Sequence, residues 1–224
     1  SCASKGPAPL KPSDKFFEEG KSALDKRRWL EAVENFQRLI SNYPGSAQVA
    51  DAQYYLAEAY FGMEDHVNAV YEYQRVFDLY PHSQWADEAQ FKIGESWFEQ
   101  RRRPELDQTE THEALLAYRR FIEDNPDSPH VDTARERIAQ CRNRLAKKDY
   151  LSARLYLRQD HLEAARMSFE QMVRAYPDTD WYLWGISKLG EVDCRQGDRH
   201  SAHSRWNEVL ELSDDEQLRE RVQE

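Results

Sequence analysis

Seven histidines are scattered along the chain: His66, His82, His112, His130, His161, His200 and His203. Only His200 and His203 share a helical face, and no HExxH motif accompanies them, so a zinc-hydrolase site has no foundation. The cysteines, Cys2, Cys141 and Cys194, are far apart with no CxxC pair. That spacing excludes a zinc ribbon and a disulfide framework. Cys141 and Cys194 fall inside helical patterns and read as separate buried thiols, the alternative being a bridge between them in an oxidising compartment. No GxSxG, Walker or GxGxxG loop occurs, and the carboxylates are spread too evenly over helical surfaces to single out an acid/base couple. The expectation is therefore no catalytic residue, no metal and no cofactor. What remains is recognition chemistry, in aromatic rings, acids and cations that recur at regular spacing.

The elements that carry them follow from composition and periodicity. Of 224 residues 40% are hydrophobic and 32% charged, with 12 Tyr, 9 Phe and 6 Trp, an aromatic load that argues against disorder. No run approaches the ~18 apolar residues of a spanning helix. With 41 acids against 31 Lys and Arg the net charge is −10, which argues against nucleic acid as a partner. The first stretch, Ser1-Cys2-Ala3-Ser4-Lys5-Gly6-Pro7-Ala8-Pro9-Leu10-Lys11-Pro12, is small, polar and Pro-rich. Residues 1–13 read as a flexible tether and 14–224 as one folded domain.

Within that domain four segments superimpose when aligned on Pro44, Pro81, Pro126 and Pro177. Twelve residues before each proline is an alanine (Ala32, Ala69, Ala114, Ala165), and eight before it an aromatic (Phe36, Tyr73, Tyr118, Phe169). Apolar pairs follow at five and four before it: Leu39/Ile40, Val76/Phe77, Phe121/Ile122 and Met172/Val173. These offsets share one helical face. A fifth copy, Ala202, Trp206, Val209 and Leu210, has Asp214 in place of the proline, which suits a last repeat with no following helix to start. Two residues after each proline stands Ser46, Ser83, Ser128 or Thr179, each a candidate N-cap. Small residues, Gly20, Ala57, Gly94, Ala153 and Gly190, mark a partner helix.

Helix, turn, helix, a small residue on the first and Ala plus an aromatic on the second is the pattern of the tetratricopeptide repeat. The resemblance covers about residues 14–212. It implies an all-α superhelix with a concave face, built from five helix-turn-helix repeats (about ten helices), at about 14–44, 47–81, 84–126, 129–177 and 180–213. The alanine spacings are 37, 45, 51 and 37, against a family period of about 34. The 45 contains an insertion around Arg101-Arg102-Arg103-Pro104. The 51 contains 14 extra residues, about four helical turns, which predicts one long helix from about Pro129 to Leu157.

The segment Arg144-Leu145-Ala146-Lys147-Lys148-Asp149-Tyr150, then Tyr156 and Arg174-Ala175-Tyr176-Pro177-Asp178-Thr179, resembles the BamD family, lipoprotein subunits of the machinery that assembles β-barrels in the bacterial outer membrane. Cys2 at the front of a Pro-rich tether also resembles the first residue of a mature lipoprotein, exposed by a signal peptidase that cuts just before it. The resemblance implies acylation of Cys2 (palmitate) and a lipid-anchored position on the periplasmic face of the outer membrane. It implies docking through the later repeats to a BamA-type barrel protein, alongside other lipoproteins of that complex, and helping unfolded outer-membrane proteins to insert. It implies no catalysis. Two alternatives stay open: another periplasmic tetratricopeptide lipoprotein, for pilus assembly or cell division, and a platform that activates a peptidoglycan enzyme.

Register within the repeats nominates two surfaces. The concave face of the first helices would present Phe17, Lys21, Tyr54, Glu58, Phe61, Phe91, Glu95 and Phe98, a ladder of rings flanked by acids. Such a surface suits an extended peptide bearing aromatic side chains, as the C-terminal signals of barrel substrates do by the family resemblance. The other reading packs these rings within or between repeats. Residues 131–158 hold eight basic and three acidic residues, a local charge of +5. Arg135, Arg142, Arg144, Lys147, Arg154 and Arg158 there are candidates for docking an acidic partner or lipid headgroups, the alternative being a solvated helix face.

Overall fold

A computed structural model describes residues 12–223, among which the chain is all helix. In order the helices are α1 (Ser13–Asp25), α2 (Trp29–Asn42), α3 (Val49–Gly62), α4 (His66–Leu79), α5 (Ala86–Glu99), α6 (Thr109–Asp124), α7 (Val131–Arg158), α8 (Leu162–Ala175), α9 (Trp181–Arg195), α10 (Arg199–Leu212) and α11 (Glu216–Gln223). The expected tetratricopeptide class is what forms, with α1/α2, α3/α4, α5/α6, α7/α8 and α9/α10 as its five hairpins. The long helix is present as α7, whose 28 residues are twice the 14 of α3. Cys2 and the rest of the tether up to residue 11 lie outside the described residues.

The repeated offsets are the core. Ala32, Phe36 and Leu39 on α2 are fully buried, as are Ala69, Tyr73 and Val76 on α4, Ala114, Tyr118 and Phe121 on α6, and Ala165, Phe169 and Met172 on α8. Where the small residue is glycine, the aromatic lies on the backbone of the preceding helix at that point. A Cβ added to Gly20, Gly94 or Gly190 would come within 2.7 Å of Phe36, 2.6 Å of Tyr118 or 2.4 Å of Trp206. The helices approach closely because that side chain is absent.

The turn inside four hairpins repeats to the residue. Seven positions after the small residue, Arg27, Glu64, Asp160 and Gly197 adopt positive φ (55°, 61°, 60° and 89°). The following amide closes a six-to-one hydrogen bond onto the first helix: Arg28 to Ala23, Asp65 to Tyr60, His161 to Tyr156 and Asp198 to Asp193. This is the Schellman ending of a helix. The third hairpin departs from it because the insertion starts there.

Two sequence expectations change. Ser46, Ser83 and Ser128 do not cap the helices that follow. Their hydroxyls accept from Gln48, Trp85 and His130 two residues on, at 3.2, 3.2 and 3.4 Å, and Thr179 instead donates to the Tyr176 carbonyl at 3.0 Å. They shape a lead-in turn one step upstream of the helix. The side-chain caps are on the second helices, where Asp65 receives the Asn68 amide and Asp198 that of Ser201. The last repeat also has a successor: α11 follows, started by Asp215, which accepts the Leu218 amide at 3.2 Å, and its Leu218 is 1% exposed. A proline-free turn does not prevent another helix from starting.

Contacts gather the chain into two compact units. The first runs up to Gln100 and includes Leu116–Ala134; the second is Arg101–Leu115 with the chain from Arg135 onward. The first is organised around clusters centred on Phe36 and Tyr73, the second around Tyr150, Phe169 and Leu189. No helix among the described residues is long and apolar enough to cross a membrane.

Candidate functional site

In the first unit the ring ladder exists, but most of it faces inward. Tyr54, Phe91 and Phe98 are 5%, 6% and 2% exposed, which corrects their assignment to an open groove. For Phe98 the cover includes the Tyr118 ring of its own repeat, edge-on at 6.3 Å; for Tyr54 and Phe91 it is a stacking relation between repeats. The ring three before each small residue lies against the residue two past the hydroxyl of the next repeat. Tyr54 stacks on Trp85 (4.3 Å, 9°) and Phe91 on His130 (4.6 Å, 13°), and in the second unit Tyr150 meets Trp181 at 5.0 Å. The rings are therefore inter-repeat packing in these three places. At the first step the partner is Gln48, so Phe17 stays half-buried, edge-on to Phe36 and Tyr55 at 6.1 and 6.0 Å. Phe61 is half-buried too, with the Lys92 ammonium 5.0 Å from its ring centre.

The acids are engaged from within. Glu58 accepts the Tyr73 hydroxyl and pairs with Lys92 at 3.2 Å; Glu95 accepts the Tyr118 hydroxyl. Burial above all, with the Glu58 charge second, holds the Tyr73 phenol well above its ordinary range. Lys21 lies 3.6 Å over the Tyr55 ring. Phe17, Lys21, Glu58, Phe61 and Glu95 thus keep partial exposure on their helices, whereas the rings expected between them do not.

In the second unit the basic run of α7 divides by task. Arg142 donates to the Asp178 carboxylate at 2.7 Å and to the Ala175 carbonyl at 3.0 Å. Arg144 donates to the Arg102 carbonyl, and Lys148 to that of Glu105 at 2.8 Å. These two hold the insertion, which Gln108 closes from inside by donating to the Arg103 carbonyl at 2.8 Å. Arg142 and Arg144 are therefore internal staples, and the expectation of one continuous docking patch is corrected accordingly. Arg135, Arg154 and Arg158 are exposed. Lys147 is half-buried, its ammonium 5.3 Å from the Trp181 ring centre. Arg154 and Arg158 border a shallow hollow of about 300 Å³ floored by Leu151 and Leu155, and Leu155 is 51% exposed.

Sequence reasoning missed two features. One is the inter-repeat stack, whose signal was the recurrence of Trp85, His130 and Trp181 at one offset from the hydroxyls. The other is Asp193, 1% exposed, held by Arg166 at 2.6 Å and Arg205 at 2.7 Å; no other repeat has an acid at that register. Cys141 is buried and Cys194 exposed, neither of them in a disulfide, so burial of Cys194 is corrected. Among the described residues no group of three His, Cys, Asp or Glu side chains is placed to hold a metal ion.

Comparison with known proteins identifies a family. The family profile described as YfiO, outer membrane lipoprotein, matches residues 9–192. The chain is 27% identical over 179 residues to an outer membrane protein assembly factor BamD of Vibrio cholerae serotype O1, covering 75% of this chain and 74% of that protein. It is 26% identical over 196 residues to the protein of the same name from Caulobacter vibrioides, covering 85% of this chain and 64% of that one. Among solved structures, the tetratricopeptide domain of P58(IPK) aligns with 91% of this chain and 51% of that one at 16% identity and a TM-score of 0.48. A thermophilic tetratricopeptide protein of Thermus thermophilus aligns over 94% and 97% at 16% identity and 0.40. The sequence match spans four of the five hairpins and part of α9, and it places the chain in the YfiO family of outer membrane lipoproteins.

Proposed function

We propose that the chain is a non-catalytic scaffold of outer-membrane β-barrel assembly. In this reading it is lipid-anchored through Cys2 on the periplasmic face of the outer membrane. It holds the periplasmic part of a BamA-type barrel protein and receives C-terminal peptides of unfolded outer-membrane proteins. The observation that carries the reading is the exposed face of α7 near its C-terminus. Leu155 and Tyr156 are 51% and 42% exposed between Arg154 and Arg158. Large apolar side chains rimmed by cations on a packed helix suit a protein partner with an apolar strip and acidic edges. The relatives named as assembly factors in Vibrio cholerae and Caulobacter vibrioides support the same reading.

The test is capture from detergent-solubilised outer membranes, with the acylated protein and with Cys2→Ser. Both should retain a BamA-type protein, and only the acylated form should float with vesicles. Leu155→Glu with Arg158→Glu should abolish capture. Capture of pilus or peptidoglycan machinery in place of a barrel protein would replace the reading.

A further inference from the structure

The insertion ahead of α6, the middle of α7 and the end of α8 line a cavity of about 650 Å³, and every residue lining it belongs to the second unit. That volume falls within the ~300–1,000 Å³ of small-molecule sites. Two of the segments singled out in the sequence meet here, through Lys148 and Asp149 on α7 and Tyr176 just past α8. Leu106 and the buried Leu145 supply an apolar wall.

The polar groups of the lining fall into two sets. One is engaged in holding the insertion. Gln108 donates to the Arg103 carbonyl at 2.8 Å, Asp107 accepts the Thr109 amide at 3.0 Å, and Lys148 donates to the Glu105 carbonyl at 2.8 Å. The other set has no hydrogen-bond partner among the described residues: the Asp149 carboxylate, the His112 ring, the Gln171 amide and the Tyr176 hydroxyl. Asp149 is half-buried, and burial above all raises its carboxyl against the pull of the His112 and Lys148 charges. An acid that is placed where its own charge is disfavoured, and that takes no donor from the protein, is set for a donor from outside.

Charge narrows what that donor belongs to. An anion would meet Glu105, Asp107 and Asp149, and an ammonium would have to share Asp149 with Lys148 and His112. A hydroxyl has one donor and two acceptor sites, so a neutral ligand with several of them can donate to Asp149 and accept from Gln171, Tyr176 and the remaining Lys148 protons together. The C–H faces of a sugar ring can cover Leu106 and Leu145 at the same time.

We propose that this cavity binds a neutral sugar of about disaccharide size. Asp149 accepts from its hydroxyls, Gln171 and Tyr176 hydrogen-bond to it from α8, and Leu106 and Leu145 pack on its ring faces. The site needs neither the docking face at Leu155 nor peptide binding.

The experiment titrates disaccharides into the full chain and follows backbone amide shifts by NMR. The probes are cellobiose, N,N′-diacetylchitobiose and the deacetylated, cationic form of the latter. A neutral sugar should move the amides of residues 105–112, 145–149 and 171–176, and the cationic form should bind about tenfold more weakly. Tighter binding of cellobiose supports the site with a plain glucan as its source, and tighter binding of N,N′-diacetylchitobiose supports it with an acetamido glycan. Asp149→Asn and Gln171→Ala should each weaken the neutral sugar about tenfold. Because burial disfavours the Asp149 charge, Asp149→Asn should do so without lowering the melting temperature, which a purely structural role would not allow. Met167→Ala, one turn from Gln171 on α8 and outside the lining, should change nothing. No shifts with either neutral sugar, shifts confined to other residues, or indifference to both variants overturns the site. Tighter binding of the cationic form overturns its choice of a neutral ligand.

Discussion

The hydroxyl of Tyr73 donates to the carboxylate of Glu58, and one repeat later Tyr118 does the same to Glu95. The acid stands one residue after the small position and the phenol at the aromatic position. Where the aromatic is Phe36 or Phe169, the acid is replaced by Lys21 or Arg154. A buried hydroxyl requires an acceptor and a phenylalanine does not, so the two positions change together. The carboxylates that read as ligand contacts are, in repeats two and three, the partners of tyrosines in the core.

Removing the two partners should not cost the same. Tyr73 is fully buried, so Glu58→Ala strands its hydroxyl and should destabilise by about 1–3 kcal/mol. Tyr73→Phe leaves Glu58 half-exposed with Lys92 still beside it, and should cost about 1 kcal/mol or less. The double variant should lose less than the sum. Urea melts of the four proteins measure this; equal losses for the single variants would separate the pair energetically.

The same burial sets an alkaline limit. Tyr73 has its pKa held above the ordinary 10.0 mainly by burial, then by the Glu58 charge, and Tyr54 is raised for the same reasons. A phenol whose folded pKa exceeds its unfolded one contributes stability that is fully present below pH ~10. That contribution is lost as pH rises through the folded value, because the unfolded chain releases protons first. The melting temperature should hold between pH 7 and 9 and fall beyond pH ~10. Tyr73→Phe should make that fall shallower, and an unchanged slope would exclude Tyr73 as a contributor.

The repeats were legible because each of their defining residues acts through its own helix face: Ala32 and Phe36, or Ala165 and Phe169, are fixed by spacing alone. The direction of Tyr54 and Phe91 was not, since it depends on Trp85 and His130, which lie 31 and 39 residues downstream. Spacing places a ring on a face, and only the neighbouring repeat decides whether that face is covered. The basic run of α7 misled in a similar way. Charge counting could not distinguish Arg144, which binds a backbone carbonyl of the insertion, from Arg154, which binds none.

Close packing at the small positions makes a contrast between glycines testable. A Cβ on Gly94 would meet Tyr118 at 2.6 Å, and that ring is fully buried and tethered to Glu95. Gly94→Ala should cost about 1–3 kcal/mol through overpacking. Gly45→Ala, with nothing within 4 Å of its Cβ, should change stability by no more than about 0.5 kcal/mol. Thermal melts of the two variants decide it. The turns offer the reverse contrast: Glu64, at φ 61°, should gain up to about 1 kcal/mol as Glu64→Gly, and Gly197→Ala, at φ 89°, should lose as much.

Asp193 predicts an asymmetry of another kind. It is 1% exposed, whereas Arg166 and Arg205, which hold its two oxygens from α8 and α10, keep 24% and 28% of their side chains exposed. Taking away the acid by Asp193→Asn leaves two guanidinium groups that reach water, and should cost about 1–2 kcal/mol. Taking away both cations by Arg166→Ala with Arg205→Ala leaves a carboxylate in a dry place with no counter-charge, and should cost about 3–5 kcal/mol. Because α8, α9 and α10 are joined at this one carboxylate, the loss should appear as faster amide exchange in those helices before it appears in α1–α4. Uniform exchange across the chain in the double variant, or equal destabilisation by the two routes, would mean that the buried charge is not what joins these helices.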